Sequence, residues 1–216
     1  MAERVKTRRY ESPRRREQAA ATRRAILEAA QRLFERQGYA ATTMAAIAAE
    51  AGVALKTVYV AFETKSGLLR VLWHLRLRGD EEAVPVAGRR WYQEVLEEPD
   101  PDRQLRLVAR NSRMVKERAG PMLAVIRSAS ATDTDAAELW ARIQSDFYDN
   151  QKAIVEALHA RKGLRRGLSV DRAADVLWTL NHPDLWLLLV GERGWTAQEW
   201  ERWFAETLRS QLLVRG

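Results

Sequence analysis

TTMAAIAAEAGVALKTVYVAF, residues 42–62, is the stretch that decides how this chain is read. Its apolar spacing predicts two short helices, about Thr43 to Glu50 and Leu55 to Ala61, with Thr42 or Thr43 as the first cap. Between them Ala51-Gly52-Val53-Ala54 makes a tight turn. Gly52 stands where the backbone needs a positive φ, which glycine adopts at little cost. Ile47, Val53, Val58 and Phe62 can pack together and onto a preceding helix. Ala48 and Ala51 are small enough to let the two short helices cross closely. This is the helix-turn-helix pattern, whose second helix enters the major groove of a DNA duplex.

If Val58 faces inward, Leu55, Lys56, Thr57, Tyr59 and Val60 form the outer surface of the second helix. Lys56 can donate to guanine O6 or N7 or to a phosphate, and Leu55 can touch a thymine methyl. Thr57 and Tyr59 carry hydroxyls suited to phosphate oxygens. Thr43 and the free N–H groups beside it make a phosphate site at a helix N-terminus. Lys65, in the first turn of the following helix, opposes its own helix dipole, a placement that makes sense beside an anion.

Upstream, Ile26, Leu27, Ala30, Leu33 and Phe34 recur at helical spacing, and Gly38 ends that helix. Residues 1–16 have no apolar period and read as a flexible basic arm. Downstream, Thr64 caps a helix to about Arg78 that buries Leu68, Leu72 and Leu75. Further helices are predicted at about 91–96, 102–118, 121–130 and 136–161. The segment 170–190 breaks near Pro183, and a last helix opens on the Thr196/Glu199 capping box. No window alternates with period two. The fold class is therefore all-α, with about nine to ten helices.

The chain has 216 residues and a net charge of +7. Residues 1–80 hold sixteen Lys and Arg against eight Asp and Glu, whereas the remainder holds twenty against twenty-one. The surplus therefore sits wholly in the first third, as expected of a module that meets a polyanion. With no cysteine, thiolate metal sites, disulfides and cysteine nucleophiles are excluded. His74, His159 and His182 lie far apart, no metal-ligand pair occurs at helical spacing, and no Walker, dinucleotide or nucleophile-elbow motif appears. The reading is of a chain with no catalytic residues, no metal, no cofactor and no membrane span, placed in the cytoplasm. An enzyme or a helical scaffold is the remote alternative.

Residues of about 20–70 resemble the DNA-binding domain of the tetracycline-repressor (TetR) family. TRRAILEAAQRLFERQGYAATTM, IAAEAGV, KTVYVAF and ETKSGLL carry the likeness in one register. The resemblance implies a helix-turn-helix domain over 17–66, with the motif at about 43–62, and an effector-binding and dimerisation domain over 67–216. It implies phosphate contacts for Thr43, Tyr59 and Lys65. Ala54 stands where the family usually has a capping serine, and Gly67 replaces a usual acidic residue.

Six of the eight tryptophans lie beyond residue 139. The segment 185–190 (LWLLLV) is apolar on all sides, and the last helix has a wide aromatic face. A second copy could cover both. This assigns a homodimer interface to about 172–190 and 197–213, through Leu185, Trp186, Leu189, Trp200, Trp203, Phe204 and Leu208. The resemblance agrees, and it further implies an effector pocket among the middle helices. Trp140, Phe147 and Trp178 are candidate walls, with Asn111 or Arg113 as polar groups. The expected partners are a pseudo-palindromic operator duplex, a second copy of the chain, and a small, mainly hydrophobic effector that releases a repressor. A regulator without effector, or an activator, is the alternative.

Overall fold

The computed structural model describes residues 13–78 and 84–214. Among these the chain is all-α, and its division into two compact units falls between Leu68 and Leu69. The only pairing of extended backbone among the described residues is a single antiparallel bridge between Leu164 and Leu213.

In the first unit α1 runs over Pro13–Ala41, with Gly38 at φ 80° and ψ 168° breaking its last turn. The basic arm expected over 1–16 is corrected in part. Pro13 to Arg16 are helical, because proline's fixed φ suits the first turn of a helix, where its missing N–H has no partner to lose. Residues 1–12 lie outside the described residues. Then come α2 (Met44–Glu50), capped by Thr43, and α3 (Leu55–Phe62). The chain turns by 111° between them, with Gly52 at φ 66° in the turn. Ile26, Phe34, Ile47, Val58 and Leu68 are fully buried or nearly so and form the core of this unit.

The start of α4 (Lys65–Arg78) is tightly wound. Glu63 takes a positive φ of 60°, a region that residues with a Cβ seldom occupy. The Phe62 carbonyl folds back so far that a Cβ on Gly67 would stand 2.5 Å from its oxygen. Glycine at position 67 is therefore a steric requirement of this turn. Thr64 Oγ1 accepts from the Gly67 N–H at 2.9 Å and closes the cap. Leu68 and Leu72 are buried as expected, whereas Leu75 is only half-buried and Leu69 and Trp73 take the inner places.

The second unit comprises a 3₁₀ turn (Val86–Gly88), α5 (Arg90–Glu97), α6 (Pro101–Ala129), α7 (Thr134–Ala160), α8 (Val170–Leu180), α9 (Pro183–Trp186), a π turn (Leu187–Glu192) and α10 (Ala197–Leu212). Side-chain caps open α6 at Asp100, α7 at Asp133 and α8 at Ser169, and the capping box opens α10. The two helices expected at 102–118 and 121–130 are one. Pro121 lies inside α6, and its predecessor Gly120 has no Cβ to collide with the pyrrolidine ring. Buried Met122, Leu123 and Ile126 beyond it hold the helix on course.

The core of this unit gathers around α10, which packs on α6 and α8. Trp200 stacks on Phe204 at 4.7 Å and meets Trp186 edge-on at 5.1 Å. This corrects the interface expected from sequence. Trp200, Phe204 and Leu208 are 0% exposed in the single chain, and Trp186 is 8% exposed, so their surface is already spent within the protomer. Leu185, Leu189 and Trp203 remain half-buried. The excess of apolar residues is real, but α6 covers more of it than periodicity alone can show.

Candidate nucleic-acid interface and internal cavity

The outer face of α3 is built by one inward residue. Val58 is fully buried, and Leu55, Lys56, Tyr59 and Val60 are exposed, Val60 by 76%. Thr57 is half-buried on the same helix. An exposed valine, leucine and tyrosine on one short helix form a surface that water does not favour. Thr43, also exposed, accepts from the Ala46 N–H at 3.1 Å and so orients the N-terminus of α2.

The frame around this face comes largely from α1. Arg23 donates to the Ala61 carbonyl at 2.8 Å, and its guanidinium lies 4.2 Å from the centre of the Phe62 ring. It thus caps the C-terminal end of α3, where a cation suits the helix dipole. Sequence reasoning missed Arg23, since its target lies 38 residues away. Lys65 also makes contacts that the sequence does not show. Its ammonium donates to the carbonyls of Tyr39 at 2.8 Å and Thr42 at 2.9 Å, and sits 4.0 Å over the Tyr39 ring. The lysine expected at a phosphate ties the end of α1 to the start of α4.

Ala54 offers no side-chain cap to α3. Ala54→Ser is therefore expected to stabilise the fold by about 1 kcal/mol, seen as a higher midpoint in thermal unfolding. An unchanged or lower midpoint would mean that the serine hydroxyl fails to reach the α3 N–H groups.

Within the second unit lies a cavity of about 640 Å³. Its wall is mainly apolar, from side chains such as Trp73, Val95, Leu123, Phe147 and Trp186. Two of the five residues expected at a pocket are there, Asn111 and Phe147. Asn111 also donates to the Trp91 carbonyl at 2.9 Å. The other three are elsewhere. Arg113 pairs with Glu201 at 2.5 Å and Glu117 at 2.6 Å, and Glu201 foremost holds its guanidinium above the usual arginine range. Trp178 meets the His182 ring at 5.0 Å, and Trp140 is half-buried outside the lining.

The polar end of the cavity was not foreseen. Lys116, 7% exposed, donates to Asn181 Oδ1 at 2.5 Å. Asn181 Nδ2 donates to Gln151 Oε1 at 3.0 Å, and Gln151 Nε2 to the Phe147 carbonyl at 3.3 Å. Burial lowers the Lys116 ammonium to about 7. Tyr92, also on the lining, donates to the Asn150 carbonyl at 2.7 Å, and burial followed by Glu156 raises its phenol to about 12. A lone lysine among apolar neighbours is ordinary in sequence, and only the fold reveals that this one is enclosed.

Residues 26–72 match the tetR family of bacterial regulatory proteins. The probable HTH-type transcriptional regulator ArpR of Pseudomonas putida is 32% identical over 183 residues, covering 80% of this chain and 83% of that protein. Two repressors share the fold. NalD, the secondary repressor of the MexAB-OprM multidrug efflux pump in Pseudomonas aeruginosa, has a TM-score of 0.69 at 21% identity, over 91% of this chain and 98% of its own. SmeT, the repressor of the Stenotrophomonas maltophilia multidrug efflux pump SmeDEF, has a TM-score of 0.67 at 20% identity, over 92% and 93%. No single helix among the described residues is long and apolar enough to cross a membrane. An outward-facing α3 on a helix-turn-helix frame, and a relative alike over most of both chains, lead to one assignment: the chain belongs to the TetR family of DNA-binding transcriptional regulators.

Proposed function

We propose that this regulator is a homodimeric repressor that binds a pseudo-palindromic operator and leaves it when a small, mainly hydrophobic effector enters the second unit. The cavity of about 640 Å³ carries this reading, since its size and apolar wall are those of a small-molecule site. SmeT has been solved in complex with triclosan, which supports the same reading. The helix-turn-helix unit, through about residue 66, reads the duplex. Thr43, Thr57 and Tyr59 meet phosphates, while Leu55, Lys56 and Val60 face base edges or backbone. The remainder of the chain binds the effector and pairs with a second copy through the half-exposed side chains of Leu185, Leu189 and Trp203, joined by exposed Leu188.

Selection of bound duplexes from a random pool, followed by titration at rising salt, tests the operator half of this reading. Two inverted half-sites are expected. The logarithm of affinity should fall linearly with the logarithm of salt concentration, at about 0.9 per phosphate neutralised. No preference over random duplex, or affinity indifferent to salt, would overturn it. Screening apolar compounds against the protein–duplex complex tests the other half. A true effector raises the unfolding temperature of the free protein by mass action and releases the duplex. A compound that fills the cavity and leaves the duplex bound counts against release.

A further inference from the structure

We propose that the effector is an amphipathic organic anion, with its apolar body along the cavity wall and its acidic group bonded to Lys116. The inference rests on the effector reading above and adds the chemical class.

The hydrogen bonds at the polar end of the cavity run in one direction. The lysine donates to Asn181, Asn181 donates to Gln151, and Gln151 donates to the Phe147 carbonyl. Each acceptor along this relay receives a donor from within it. The surplus lies at the lysine end, because an ammonium has three N–H donors and no acceptor. One goes to Asn181. The Trp200 ring, 4.8 Å away, attracts the charge through its π face. No carboxylate among the described residues forms a salt bridge with Lys116, which lies on the cavity lining. Burial leaves this amine only partly protonated near neutral pH, and a ligand acceptor, above all an anionic one, is what holds it in the charged, three-donor form.

Burial decides between a neutral acceptor and an anion. A buried cation without a counter-ion is costly, and no acidic group offsets the desolvation that lowers this ammonium. A carboxylate, sulfonate or phenolate would supply the missing charge where water is scarce, and charge-assisted hydrogen bonds are roughly twice as strong as neutral ones. Asp146 and Asp149 also reach the lining, Asp146 exposed and Asp149 on the same solvent side of α7. Solvent screens them, and neither forms a salt bridge with Lys116.

Two fluorescent probes of nearly the same shape provide the test: anilinonaphthalene sulfonate, an anion, and phenylnaphthylamine, its neutral counterpart. Both are titrated into the full chain and into Lys116→Met, whose unbranched side chain is one atom shorter and carries no charge. The intact protein is expected to bind the sulfonate about tenfold or more tightly than the amine. Lys116→Met should abolish that preference by weakening the sulfonate alone, leaving the amine within about twofold. The variant loses the bond to Asn181 Oδ1 together with the buried cation, so its unfolding midpoint is measured first to establish that it is folded. If it does not fold, Lys116→Gln takes its place with the same expectation. Amine binding with no preference for the sulfonate, or a preference that survives both substitutions, overturns the inference and leaves the cavity reading standing. If neither probe binds, the cavity reading fails as well.

Discussion

Lys56→Ala combined with Tyr59→Ala is expected to weaken binding to the selected duplex by about 100-fold or more, while the midpoint of thermal unfolding moves by no more than about 2 °C. The size follows from what each side chain can offer. A direct contact to a base edge is worth about 1–3 kcal/mol, and loss of a phosphate contact adds to it and reduces the salt slope by about one. Both side chains are exposed on α3, so their removal leaves the Val58 and Phe62 contacts in place. Exposed substitutions away from special backbone generally change stability by no more than about 0.5 kcal/mol. Fluorescence anisotropy of a labelled duplex gives the affinity, and circular dichroism gives the midpoint. If the folded double variant still binds with parental affinity, α3 is not the reading helix.

Trp200→Ala should destabilise the second unit severely. The side chain is fully buried, stacked on Phe204 and edge-on to Trp186. Truncating a buried tryptophan costs about 3–5 kcal/mol through lost transfer energy and the cavity left behind. For a chain of this size that lowers the unfolding midpoint by about 10 °C or more. Trp203→Ala, one helical turn away and only half-buried, should cost much less in the isolated protomer. Comparable large losses at the two positions would mean that Trp203 is covered as fully as Trp200, as pairing with a second copy would do.

The contrast between these positions shows what a sequence can disclose. The helix-turn-helix was legible because its signals are local. A cap at Thr43, a glycine at position 52 and an inward Val58 lie close together along the chain and obey short-range rules. The capping box at Thr196 was legible for the same reason. The continuity of α6 was not, since the cost of Pro121 is local and the packing that overrides it is distant. At Lys65 the position in a first turn is visible in the sequence, whereas the Tyr39 and Thr42 carbonyls it serves are brought to it only by the fold. The candidate pocket residues divided for a related reason. Helical spacing can say that Trp140, Phe147 and Trp178 are large apolar side chains on helices, but not which of them faces a void. Lys116 gave no signal, because enclosure of a charged side chain depends on the helices packed around it.

The cavity wall also has an optical consequence. Trp73, Trp91 and Trp186 all line it. A molecule that settles there displaces water from indole rings or lies against them, and either event alters their emission. The chain therefore carries a built-in reporter of occupancy. With no cysteine in the sequence, a thiol introduced at exposed Glu28 on α1, outside the reading helix, would accept a dye at that position alone. Filling of the cavity and departure from the duplex could then be followed at two wavelengths in one sample, showing which event comes first.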